Sequence, residues 1–111
     1  QTMGFKRTPS PTFTAPVVVN VANEAGGFDR NTFTAKFKRP MEEDERKELL
    51  ALSNEALVRR QLIGWDMKDE DTKEDVPFSP AQLNACLAID PTPMATAQAF
   101  WNALAGAHAK N

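Results

Sequence analysis

Thr32-Phe33-Thr34-Ala35-Lys36-Phe37-Lys38 alternates apolar and polar residues without a break. Successive side chains of an extended chain point to opposite faces, so Phe33, Ala35 and Phe37 share one face. Thr32, Thr34, Lys36 and Lys38 share the other, and the stretch reads as a half-buried strand. Upstream, Val17-Val18-Val19-Asn20-Val21 is short and β-branched, a second strand. Between them, Asn23-Glu24-Ala25-Gly26-Gly27 is turn chemistry, because glycine permits positive φ. Together they predict an antiparallel hairpin. An isolated hairpin is marginal in water, so its Val/Phe face needs a partner layer.

Downstream sequence supplies helices for that layer. Pro40 suits a helix start, and Glu42, Glu43, Asp44 and Glu45 match the positive end of a helix dipole. Arg46 and Lys47 follow, and Leu49, Leu50 and Leu52 form the apolar end. Ser53 is the N-cap of a second helix with Glu55 in its first turn. Leu57, Val58, Gln61 and Leu62 line one side of it, Arg59 and Arg60 point outward, and Gly64 is its C-terminal cap. Ser79-Pro80 caps and opens a third helix with a Leu83, Cys86, Leu87 stripe. Asp90-Pro91-Thr92-Pro93 breaks it. A fourth helix, rich in alanine, runs from Met94 to about His108. Its heavy face is Met94, Ala97, Trp101, Leu104 and Ala105, with Phe100 on the border. The expected fold is α+β, an N-terminal antiparallel β-hairpin packed on a C-terminal bundle of about four helices.

Residues 1–16 are rich in Pro, Thr and Ser and read as a flexible arm, because Pro9, Pro11 and Pro16 cannot donate to a sheet ladder. Residues 17–111 then form one domain, as a length of 111 residues allows. A net charge of −2 provides no field to draw the chain onto nucleic acid or anionic lipid. No apolar run approaches the roughly 20 residues that span a bilayer, and no signal-peptide pattern is present. With Cys86 the single cysteine, no intrachain disulfide can form.

Between Gly64 and Pro80 lies Gly-Trp-Asp-Met-Lys-Asp-Glu-Asp-Thr-Lys-Glu-Asp-Val-Pro-Phe-Ser-Pro. It reads as a solvated acidic loop pinned at its ends by Trp65 and Phe78. A calcium loop would need ligands at alternating positions, a glycine at the bend and a glutamate at the twelfth place. Counted from Asp69, the fifth residue is Lys73, the sixth Glu74 and the twelfth Pro80, so the pattern fails. His108 has no second ligand at helical spacing, and Cys86 lies among Leu83, Leu87 and Ile89 as a buried thiol without a paired base. The carboxylates of residues 42–45 share one solvated environment, which does not separate an acid from a base. There is no phosphate-cradling glycine loop, HExxH or GxSxG. No catalytic residue, cofactor or metal is expected. Trp65, Phe78, Phe100 and Trp101 are either core or exposed anchors for a partner. The alanines of the last helix, Ala99 and Ala103 among them, are either a low-relief docking face or simply strong helix formers. Ala99, Phe100, Ala103, Trp65 and Phe78 are therefore the candidate partner-binding residues.

Four stretches carry a resemblance: Phe33-Thr-Ala-Lys-Phe-Lys-Arg-Pro40, Leu57-Val-Arg-Arg-Gln-Leu-Ile-Gly-Trp65-Asp66, Val76-Pro-Phe-Ser-Pro80 with the helix through Leu87, and Ala99-Phe-Trp-Asn-Ala103. In this order the chain, from about Phe33 onward, resembles tail assembly chaperones of long-tailed bacteriophages. The resemblance implies a non-catalytic scaffold in the host cytoplasm that binds the tape measure protein, keeps its apolar helices soluble and helps recruit tail tube protein. Oligomerisation stays open. A structural tail or head-completion subunit, or a nonviral interaction adaptor, are the competing readings. The family also implies a −1 ribosomal slip near the gene's end, for which Ala109-Lys110-Asn111 has a permissive spelling.

Overall fold

A computed structural model describes residues 4–106. Its elements are β1 (Thr12–Ala22), β2 (Phe28–Lys38), α1 (Glu43–Leu50), α2 (Asn54–Gln61), β3 (Leu62–Asp66), α3 (Pro80–Leu87) and α4 (Thr92–Leu104). Among the described residues the strands form one antiparallel sheet in the order β1-β2-β3. The fold is α+β, with the N-terminal hairpin that the alternation predicts.

The hairpin register sets Ala15 opposite Ala35 and Val17 opposite Phe33. Ala15, Val17, Val19, Ala35 and Phe37 are consequently all on the buried face. At the turn, the Asn23 side-chain oxygen accepts from the Ala25 and Gly27 amides, at 3.1 and 3.0 Å. Gly26 takes φ 91°, a backbone region that a side chain would strain.

The hairpin is longer than expected. β1 starts at Thr12, so residues 12–16 belong to the sheet and not to an arm. Pro16 is tolerated because β1 is an edge strand. Arg39 N–H donates to the Pro11 carbonyl and Asn23 N–H to the Gly27 carbonyl, which places the odd-numbered residues of β1 in the hydrogen-bonded pairs. Pro16, an even-numbered residue, therefore turns its nitrogen toward the free edge and removes one donor from it, which guards the edge against pairing with another chain. Arg39 also ties the chain before β1, with Nε donating to the Ser10 carbonyl at 2.7 Å and the guanidinium 5.1 Å from the Phe13 ring centre.

Ser53 and Ser79 cap as expected, their hydroxyls accepting from the Ala56 and Gln82 amides at 3.1 and 3.2 Å. After Gln61 the expectation fails. Leu62 is already extended, and residues 62–66 form β3 instead of ending a helix at a Gly64 cap. Gly64 pairs with Lys36 and Trp65 with Ala35. β3 covers only residues 34–37 of the β2 edge, and the part of that edge nearer the hairpin turn stays without a β3 partner.

The last helix begins at Thr92, and its buried residues are Thr92, Thr96, Ala97, Ala99 and Phe100. Met94, expected inside, is 54% exposed. The inward face is centred on Phe100, whose ring lies 5.2 Å from Phe37, 5.6 Å from Phe13 and 5.0 Å from Trp101. This aromatic cluster joins sheet and helix layers. α4 packs on β1 and on α2, and buried Gln61 fastens the end of α2 to β2 through Nε2 donating to the Lys38 carbonyl at 3.0 Å. His108 and residues 109–111 lie outside the described residues.

Among the described residues, two buried polar atoms, Gln61 Oε1 and Thr96 Oγ1, have no hydrogen-bond partner. A buried hydroxyl without a hydrogen bond costs about 1–3 kcal/mol. Thr96→Val keeps the shape and removes the hydroxyl, so it should raise stability by about 1 kcal/mol. In urea titrations the midpoint should rise at unchanged slope; a lower midpoint would mean that the hydroxyl is satisfied.

Candidate functional site

The acidic segment is a folded turn and not a loose loop. The Asp69 carboxylate accepts from the Asp71 and Thr72 amides at 2.9 and 3.0 Å. Asp69 N–H donates to the Glu74 carbonyl, Lys73 N–H to the Asp69 carbonyl and Val76 N–H to the Met67 carbonyl, all at 2.8–2.9 Å. Lys73 takes a φ of 64° at the bend, and Lys68 pairs with Asp75 across the turn. The amides of Thr72 and Asp71 hold the Asp69 carboxyl below its ordinary range, and the Asp75 hydrogen bond holds the Lys68 ammonium above its own. Since Asp69 has a lowered pKa, its support of the turn is present at neutral pH and is lost as pH falls through that lowered value.

Trp65 and Phe78 hold the base of this turn. Trp65 Nε1 donates to the Val76 carbonyl at 2.8 Å, and its ring meets Phe78 edge-on at 4.9 Å and Phe33 at 5.9 Å. Phe78 remains 37% exposed. A fully buried phenylalanine loses about 3–5 kcal/mol on truncation, so Phe78→Ala should cost less, about 1–2 kcal/mol. Chemical denaturation measures it directly, and a loss on the fully buried scale would show that the ring anchors more than the turn.

The turn walls a groove of about 790 Å³. Val19, Val21 and Phe33 contribute from the inner face of the hairpin, Cys86 from α3, Ile89 from the chain that follows it and Thr92 from the start of α4. Asp66, Asp69 and Glu70, with Lys68 and Lys73, supply its charged side. The groove exists because the hairpin outruns the layer beneath it. Val17 and Val19 are fully covered, whereas Val21 and Phe33 are half-buried and Phe28 near the hairpin end is 68% exposed.

The candidate partner residues do not converge. Ala99 and Phe100 are buried in the core and cannot form a docking face; the small side chain of Ala99 belongs to a helix face that packs inward, and Phe100 fills the space between sheet and helices. Ala103 is half-buried against the same core. Trp65 packs on Phe33 and hydrogen-bonds to Val76, two residues of the groove, and so supports it from behind. Phe78 lines a smaller recess of about 270 Å³ together with Trp65 and Val76. Sequence reading missed the groove residues Val21, Cys86 and Ile89 as a set. Ile89, an apolar residue just beyond the α3 stripe, was the available signal.

Burial pushes the Cys86 thiol up, which keeps it protonated and weakly nucleophilic. Among the described residues, no three His, Cys, Asp or Glu are grouped to hold a metal ion. No described helix is long and apolar enough to cross a membrane. What the groove offers is surface: an apolar interior beside carboxylates held in place by a rigid turn. No family model, curated protein or solved structure matches the chain.

Proposed function

We propose that this protein is a non-catalytic tail assembly chaperone of a long-tailed bacteriophage, acting in the host cytoplasm. It holds the tape measure protein in a soluble state and helps to recruit tail tube subunits. The observation that carries this reading is the open, largely apolar groove with a charged side, a surface suited to receiving a segment of another chain. The stretches that resemble the family also form one body. They contribute Phe37, Leu57, Val58 and Phe100 to the core, and Trp65 and Phe78 to the base of the turn.

Co-expression with the tape measure protein of the same genome tests the reading. The tape measure protein should move from the insoluble to the soluble fraction and elute together with this chain. A tape measure protein equally insoluble with and without it would contradict the proposal. So would recovery of the chain from purified virions, which favours a structural subunit.

A further inference from the structure

The two outer edges of the sheet differ. In the hairpin the odd-numbered residues of β2 bond to β1, so the even-numbered ones turn their backbone groups to the opposite side. There β3 engages Thr34 and Lys36 and stops. The N–H and C=O of Arg30 and Thr32 stay open, and no described residue bonds to them. On β1 the outer edge is broken by Pro16, whereas residues 28–33 hold no proline. Asn31, Thr32, Phe33 and Thr34 line the groove consecutively although their side chains alternate between faces, so the groove opens onto this edge. Asp66, Met67 and Lys68 line the same space, so the line of β3 continues into open groove.

A strand laid along this edge meets two different faces. Opposite Phe33 its side chain turns into the groove, beside a half-buried ring. Aromatic and β-branched residues pair well across strands. Opposite Arg30 its side chain turns to the outer face of the sheet. Among the described residues the Arg30 guanidinium has no ion pair, and neither do Lys36 and Lys38 on the same face. Asp29, on the inner face, is held by Asn23 Nδ2 at 3.1 Å. A carboxylate therefore suits the position opposite Arg30. A second copy of this chain does not fit. Two antiparallel β2 edges that use both Arg30 and Thr32 either set Arg30 against Arg30 or run into Thr34, whose edge β3 already occupies.

We propose that the open edge at Arg30 and Thr32 takes an added β-strand. The strand is an extended segment of another protein, antiparallel to β2 and in line with β3, with a β-branched residue opposite Phe33 and Asp or Glu opposite Arg30. Main-chain bonds supply the affinity, and the two side chains fix the register. This deepens the reading of the groove as a seat for a segment of another chain and rests on it. It specifies that segment by its chemistry alone.

The probe is the capped peptide acetyl-Val-Thr-Val-Glu-Thr-Thr-amide, titrated to about millimolar concentration into the isotope-labelled full chain and followed by amide NMR. The Arg30 and Thr32 amide signals should move. Thr32→Pro removes one edge donor, as Pro16 does on β1, and should weaken the peptide about tenfold. That donor lies outside the hairpin ladder, so the thermal melt should be unchanged. Arg30→Glu keeps every edge donor at an exposed position. It should weaken the peptide about threefold and favour the same peptide with lysine in place of glutamate. Arg30 and Thr32 signals that stay still, or equal binding by the wild type and both variants, would overturn the inference. So would a dimer of the chain that Thr32→Pro dissociates, which gives the edge to a second copy. The peptide is not taken from the tape measure protein, so its failure leaves the co-expression result to decide the chaperone reading separately.

Discussion

Replacing Phe100 by alanine should cost about 3–5 kcal/mol, the range for truncating a fully buried phenylalanine. The ring is 0% exposed and touches Phe13, Phe37 and Trp101 at centroid distances of 5.0–5.6 Å. These contacts are the seam between sheet and helices. Natural domains are stable by only about 5–15 kcal/mol, so the variant should sit near the edge of folding. Circular dichroism during urea titration should show a sharply lower midpoint. A shift worth under about 1 kcal/mol would place the core elsewhere.

Ala99→Arg should be as damaging, for a different reason. Ala99 is 8% exposed on the inner face of α4. Arginine there adds several methylenes to a filled space, which costs about 1–3 kcal/mol, and it also removes a charge from water. The expected result is loss of the cooperative unfolding transition. A variant that melts like the wild type but fails to bind its partner would instead put the alanine face at the surface. The structure favours the first outcome, since Ala97 and Phe100 beside it are also buried.

Local chemistry was legible in the sequence. Ser53 and Ser79 cap the helices that follow them because a cap depends on residues within one turn. The alternation of residues 32–38 identified β2 because one of its faces is buried and the other solvated. Non-local effects were not legible. Leu62-Ile63-Gly64-Trp65-Asp66 becomes a strand because β2 has an edge to fill, which no local pattern records. Phe100 and Trp101 are neighbours in sequence, and Phe13 and Phe37 determine which of them is inward. Pro16 is a strand breaker by composition, yet it stands in β1 because that strand lies at the edge. The groove collects Val21, Phe33, Glu70 and Ile89 from four separate parts of the chain, so no motif announced it.

The central proposal is that this chain holds a partner in the groove beneath the hairpin. Amide hydrogen exchange of the full chain, free and in complex with the tape measure protein, tests it most directly. New protection should be confined to the hairpin end around Val21 and Phe33, the turn of residues 66–76 and the end of α3 near Ile89. Protection confined to the outer sheet face, around Lys36 and Lys38, or to the exposed side of α4 around Met94, with the turn unchanged, would contradict it.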